Sequence, residues 1–286
     1  MLALHWSTIY LFLRKRKRLK RKTWRLSKIN KTVIAQRYLA GESTTILART
    51  FNISRSATRA ILMARGINCR PRRRFVKTRS WDDAAFASLT PESAYWIGFL
   101  MADGYISPQG KRRKIIQLIL AKKDTNQIVA FQRFLKSTHK RIKNTDGKGH
   151  LRVGVQITSR QLHRDLWSRG CVYGSQNRIP VPALTRSKDF WCGVIDGDGS
   201  LFITRNNEPR ISLCGYKPLL EKFVEFLQFH NFKAYPLNRH GKIWTVNVSG
   251  KPSGKLAKLL YDRDGPSLAR KKRVAKRIIR RCFAKI

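Results

Sequence analysis

Phe190-Trp191-Cys192-Gly193-Val194-Ile195-Asp196-Gly197-Asp198-Gly199 repeats, type for type, a stretch that occurs earlier as Tyr95-Trp96-Ile97-Gly98-Phe99-Leu100-Met101-Ala102-Asp103-Gly104. Both read aromatic, Trp, any residue, Gly, two apolars, any residue, small, Asp, Gly. Runs so apolar cannot face water, so each is expected as a buried helix segment. Gly98 and Ala102, and likewise Gly193 and Gly197, sit four apart and share one helical face, which lets two such helices pack backbone to backbone. Asp-Gly then ends each helix, with the glycine free to take a left-handed cap. An acid at a helix C-terminus is disfavoured by roughly 0.3–1 kcal/mol. Packing the two helices together brings Asp103 and Asp198 close and raises that cost. A positive group must offset it, and a divalent metal is the first choice.

The stretches around these motifs set an order of elements. After the first come strands at Tyr105–Ile106 and Lys114–Leu120, a helix at Thr125–Ser137, a hairpin around Asp146-Gly147, a strand at Leu151–Ile157 and a helix at Arg160–Ser168. After the second come strands at Leu201–Thr204 and Arg210–Leu213, a helix at Leu219–Gln228, strands at Lys233–Leu237 and Ile243–Val248, and a helix at Gly254–Tyr261. The order α-β-β-α-β-β-α, twice, is an α+β fold with four antiparallel strands per half. A basic helix from Ala269 to Ile286, with Val274, Ile278 and Ile279 on one stripe, is expected to pack on the second half and touch phosphate.

The paired motifs resemble those of a LAGLIDADG homing endonuclease in its single-chain, two-repeat form, over roughly residues 85–280. On that name Gly98 and Gly193 take the third position, Asp103 and Asp198 the eighth, Gly104 and Gly199 the last. Met101 stands where the sixth position has Asp; the second copy keeps Asp196. The resemblance implies a pseudo-twofold fold whose antiparallel sheets form a saddle over duplex DNA. It implies a mobile-element nuclease, intron-borne for instance, that cuts at one site. It also implies Mg²⁺ (with Mn²⁺ able to substitute) held by Asp103 and Asp198, with the carbonyls of Ala102 and Gly197 helping. Lys122, Arg160 and Lys251, placed just after strands, are candidates to polarise the phosphate or orient water. Gly215 stands at the second-half equivalent of Lys122, so the two sites need not match.

Groove-facing strand residues should be long and polar: Gln117, Arg152, Gln156, Arg205, Arg210, Asn238, Arg239 and Asn247, with the alternation uncertain by one residue. Residues 30–66 read as three short helices. The first is Thr32–Leu39. Ser43 caps Thr44–Thr50, with Ile46 and Leu47 inward, and Ser54 caps Arg55–Arg65, which Gly66 ends. This resembles the helix-turn-helix of resolvase-like DNA-binding domains, exposing Arg55, Ser56, Thr58, Arg59 and Arg65 toward the major groove. The domain reading is therefore 1–29 basic arm, 30–68 helix-turn-helix, 69–84 basic linker with a short helix at Trp81–Leu89, 85–175 first repeat, and 176–286 second repeat.

Composition sets the partner. The 286 residues carry 61 Lys+Arg against 16 Asp+Glu, a formal charge of +45, which calls for a polyanion, nucleic acid before membrane. The apolar run 1–13 is too short to span a bilayer and precedes the basic run Arg14–Lys22, the reverse of a secretory signal. That basic run reads as a nuclear address, a phosphate-binding arm or an overlong start. Five scattered cysteines have no metal or redox spacing and imply reduced, intracellular thiols. A monomer and a free-standing protein rather than an intein are expected. Two alternatives to a nuclease remain open: a maturase on intron RNA, and a transcription regulator that keeps the fold without chemistry.

Overall fold

The computed structural model describes residues 28–70 and 80–283. The basic run Arg14–Lys22 and most of the basic linker lie outside them. The chain forms two compact units, residues 1–76 and 77–286.

In the first unit, α1 (Lys28–Leu39), α2 (Thr44–Thr50) and α3 (Arg55–Met63) enclose a small core of Ile34, Ala35, Tyr38, Leu47 and Leu62. The hydroxyls of Ser43 and Ser54 accept from the backbone N–H groups of Ile46 and Ala57, satisfying donors a short helix otherwise leaves open. Ile46, expected inside, is 52% exposed; a seven-residue helix has room for one inward row, and Leu47 occupies it.

The second unit opens with turns rather than the expected helix at Trp81–Leu89. Asp82 turns its carboxylate onto the Ala84 N–H, and Arg169 holds the Phe86 carbonyl at 2.9 Å, so side chains take the backbone groups a helix would pair. The first repeat then runs α4 (Pro91–Asp103), β1 (Gly104–Ile106), β2 (Ile115–Ala121), a 3-10 turn (Lys122–Asp124), α5 (Thr125–Phe134), β3 (Ile142–Thr145), β4 (Leu151–Thr158) and α6 (Arg160–Ser168). A one-turn α7 (Pro182–Thr185) leads into the second: α8 (Lys188–Asp198), β5 (Gly199–Ile203), β6 (Pro209–Gly215), α9 (Lys217–Phe229), β7 (Asn238–His240), β8 (Ile243–Ser249), α10 (Lys251–Tyr261) and α11 (Ala269–Phe283). The sheets are antiparallel, ordered β1-β2-β4-β3 and β5-β6-β8-β7. The duplicated α+β architecture expected from the motifs is the observed one. One difference is local: Lys233–Leu237 makes no ladder, because Pro236 has no N–H to give, and the strand forms at Asn238–His240 instead.

One apolar core spans both repeats, and α4 and α8 run through it side by side. Thr90 and Ser93 close a reciprocal capping box at the start of α4. All residues from Ser93 to Met101 and from Asp189 to Asp196 are buried. A Cβ added at Gly98 would lie 2.1 Å from the Phe190 carbonyl oxygen, and one at Gly193 2.0 Å from that of Tyr95. Only glycine permits this approach. Gly104 and Gly199, however, are not left-handed caps: their φ values are −82° and −84°. They serve a steric exit instead. A Cβ there would meet the carbonyl of Leu100 at 2.5 Å or of Ile195 at 2.6 Å as helix passes directly into strand.

Candidate functional site

The paired helices bring Asp103 and Asp198 together. The Asp103 Oδ2 lies 3.5 Å from where a Gly197 Cβ would stand, a distance that only this glycine-lined crossing allows. Both carboxylates remain open to solvent, and Asp103 lines a cleft. Surrounding protein mass pushes the Asp198 carboxyl up to about 6, Asp103 adding to it, and desolvation also raises Asp103. Neither is a quiet surface acid.

The offsetting charge is partly built in. Arg178 is buried in the connector between repeats and donates to the carbonyls of Leu100 (3.2 Å), Met101 (2.5 Å) and Gly104 (2.8 Å), the end of α4. Lys271 is buried on α11, and its Nζ donates to the carbonyls of Ile195 (2.7 Å), Asp196 (2.7 Å), Gly197 (3.1 Å) and Gly199 (2.6 Å), the end of α8. Each cation sits where a helix dipole is negative. Burial pulls the Lys271 ammonium down to about 8, against the pull of Asp196, Asp103 and Asp198. Sequence reasoning assigned neither residue. The available signal was the repeat: Arg178 stands 75 residues after Asp103, and Lys271 stands 73 after Asp198.

The sixth-position Asp196 faces inward. It is fully buried and accepts from the Tyr95 hydroxyl (2.8 Å), the Tyr261 hydroxyl (2.7 Å) and the Leu268 N–H (2.6 Å). It ties α4 to α10 and to the start of α11. Burial raises its carboxyl to about 6.

Of the cationic candidates, Lys122 shares with Asp103 a cleft of about 890 Å³, also lined by Asp124, Arg152 and Arg270. Arg160 and Lys251 begin α6 and α10, after the ends of β4 and β8. Those ends pair with Ile115 and Arg210, whereas the acid-bearing ends of the sheets are marked by Gly104 against Leu118 and Gly199 against Leu213. Arg160 and Lys251 are therefore about 10 Å or more along the strands from the acids, and the fold does not bring them to the carboxylates.

Register fixes which strand residues share the outer face of each sheet. Gln117 lies opposite Gln156 and hydrogen-bonds it at 3.0 Å; Arg152 reaches Asp146 at 3.2 Å. Asn247 pairs with Ser212, and Arg210 with Ser249, on the corresponding face of the second sheet. Arg210 also holds Glu208, and Arg205 lies exposed in the β5–β6 turn. Asn238, opposite Thr245, shares Asn247's face. Arg239 does not: it pairs with Trp244 and lies 6.0 Å over that ring, on the core side, because adjacent strand residues point to opposite faces and Asn238 takes the outer one.

In the first unit Arg55, Ser56, Arg59 and Arg65 are exposed on or just beyond α3. Ser56 bonds Ser54, and Arg65 donates to Thr32. Thr58 is not on that face. It is fully buried, its hydroxyl donating to the Ser54 carbonyl at 3.1 Å, because it stands four residues before Leu62 on the helix's inward row.

Among the described residues no three His, Cys, Asp or Glu side chains form a metal cluster, and no helix is long and apolar enough to cross a membrane. All five cysteines are free thiols.

No protein-family model matches the chain, and no curated protein does. Solved structures with a similar chain trace include the LAGLIDADG meganuclease I-AabMI bound to uncleaved DNA, at 12% identity and a TM-score of 0.48 over 68% of this chain and 91% of that one. The LAGLIDADG homing endonuclease I-GzeII in complex with its DNA target gives 11%, 0.43, 68% and 89%. The I-LtrWI LAGLIDADG homing endonuclease bound to target DNA gives 9%, 0.45, 70% and 91%.

Proposed function

We propose that this protein is a metal-dependent, site-specific endonuclease that cuts both strands of duplex DNA. The observation that carries the reading is the meeting of Asp103 and Asp198 at the joined ends of two glycine-packed helices, one from each repeat. Two sheets with polar outer faces flank them.

The donor set fits a hard cation: two carboxylates whose ionised forms are held at a cost, beside the carbonyls of Ala102 and Gly197. Mg²⁺ or Mn²⁺ bound there supplies the Lewis acidity that activates water and stabilises the leaving oxygen. The chain's own residues do the rest. Asp103 serves one scissile strand and Asp198 the other. Lys271 favours the ionised form of both acids, and Arg178 that of Asp198, so both hold the pair ready to bind cation at neutral pH. Lys122, exposed in the cleft, orients phosphate or water in the first site. Gly215 supplies no such group in the second. Gln117, Gln156, Asn238 and Asn247 present amides able to read base edges, while Arg152, Arg205, Arg210, Arg160 and Lys251 contact phosphate. Arg55, Ser56 and Arg59 of the three-helix unit extend the contacted duplex. One chain supplies both acids, so a monomer suffices.

The test is cleavage of a randomised duplex library in Mg²⁺ by the native protein and by Asp103→Asn and Asp198→Asn. Native protein should cut both strands at one site; each variant should lose or halve cutting while still binding. Tight duplex binding without cutting in Mg²⁺ or Mn²⁺ overturns the nuclease reading.

A further inference from the structure

Helices α10 and α11 form an antiparallel pair on the core side of the second sheet, with Gly254 so close to Cys282 that an added Cβ would meet it at 2.4 Å. Their inward rows, Leu256, Ala257 and Leu260 on one and Ala275 and Ile278 on the other, belong to the main core. Their outward rows are Lys255 and Lys258 on α10 and Arg273, Lys276, Arg277 and Arg280 on α11, all exposed. Neither helix contains an acid, and among the described residues none of these six cations forms an ion pair. The four on α11 are three, four and seven residues apart, one stripe of mutually repelling neighbours about 10 Å long.

Two facts set this surface apart from general basicity. The first repeat has no counterpart: where α11 follows α10, α6 is followed only by a connector with a 3-10 turn and the one-turn α7. The stripe also lies on a rigid mount. Lys271 fastens the start of α11 to four carbonyls, and Arg281 fastens its end to the Asn207 carbonyl at 2.8 Å. The groove residues Ser212, Asn247 and Arg210 face the opposite side of the sheet from these helices, so a duplex in the groove does not neutralise the stripe.

We infer that the outward faces of α10 and α11 form a second nucleic-acid surface, which holds the backbone of a further segment of duplex DNA while the groove holds the target. It rests on the DNA-binding part of the proposed function and not on cleavage. The six residues carry charge alone, with no amide to read a base and no aromatic to stack on one, which fits duplex phosphate rather than single strands. Val274, Ile278 and Ile279 turn toward the core, so no apolar row is left for a membrane to receive. DNA is also the polyanion the groove keeps at high local concentration.

The test is bridging by the full chain: capture of a fluorescent random-sequence duplex on beads carrying the same duplex. Native protein should bridge. A variant with Arg273→Gln, Lys276→Gln, Arg277→Gln and Arg280→Gln should bridge about tenfold less or worse, with a weaker salt dependence. Its binding of one duplex, its melting and its cleavage should stay near native. Arg273→Lys, Arg277→Lys and Arg280→Lys together keep the charge and should keep the bridging. Unchanged bridging in the glutamine variant assigns the second contact elsewhere, the three-helix unit included, and overturns the inference. So does no bridging by native protein, or a glutamine variant that loses capture of an RNA duplex or of phosphatidylserine vesicles while DNA bridging persists. Loss of bridging with intact cleavage, or the reverse, separates this surface from the nuclease site.

Discussion

Lys271 donates to four carbonyls at the end of a helix on which it does not lie, and that end carries Asp198. Replacing its charge with an apolar side chain leaves those oxygens without a donor, so Lys271→Met should cost about 2–4 kcal/mol in urea denaturation. Its second effect is chemical. Because Lys271 lowers the carboxyls of both Asp103 and Asp198, its loss should move the acid limb of the cleavage rate to higher pH. In native protein the same logic gives a rate that falls as pH drops through about 6, where Asp198 takes up a proton. Asp196 offers a stability test. Its carboxyl titrates near 6 in the fold against an ordinary 3.8, so its contribution is full below pH 4 and is lost as pH rises through 6. The stability of native protein relative to Asp196→Asn should therefore decline by about 3 kcal/mol between pH 4 and 7, measured by urea titration at each pH.

At the level of elements, α4 and α8 are held at backbone contact by two glycines that have no room for a methyl. Gly98→Ala and Gly193→Ala should each destabilise by about 3 kcal/mol or more, because the obstacle is a carbonyl and not a flexible side chain. Gly110→Ala, with open space around it, should stay within about 0.5 kcal/mol when all three variants are compared by urea denaturation. The motif helices, the strands and their order were legible in the chain because apolar periodicity and glycine placement are local properties. Trp81–Leu89 was not: its apolar spacing suited a helix, but Asp82 and the distant Arg169 take its backbone groups. The β7 boundary failed for a related reason: Pro236 leaves pairing to begin only at Asn238, and Arg239, its neighbour in the strand, then falls on the opposite face.

Across the whole molecule, two apolar clusters stand apart in composition and sequence. Leu47→Ala, in the smaller one, should weaken amide protection across α1–α3 by about 2–5 kcal/mol in hydrogen exchange and leave the amides of β6 unchanged. The charge of +45 makes any DNA affinity measured in low salt fall steeply as salt is added.

The sequence by itself determined that there are two glycine-faced helices ending in Asp-Gly, that each is followed by the same run of strands and helices, and that the net charge calls for a polyanion. These follow from repeats, periodicity and net charge, all readable along the chain. Tertiary structure alone decided which cations stand at the acids. Arg178 and Lys271 come from a connector and a terminal helix that sequence separates widely from the motifs. Arg160 and Lys251, though they follow strands as Lys122 does, are carried to the other end of each sheet. A side chain's charge is local information, but the field it joins depends on where the fold returns it.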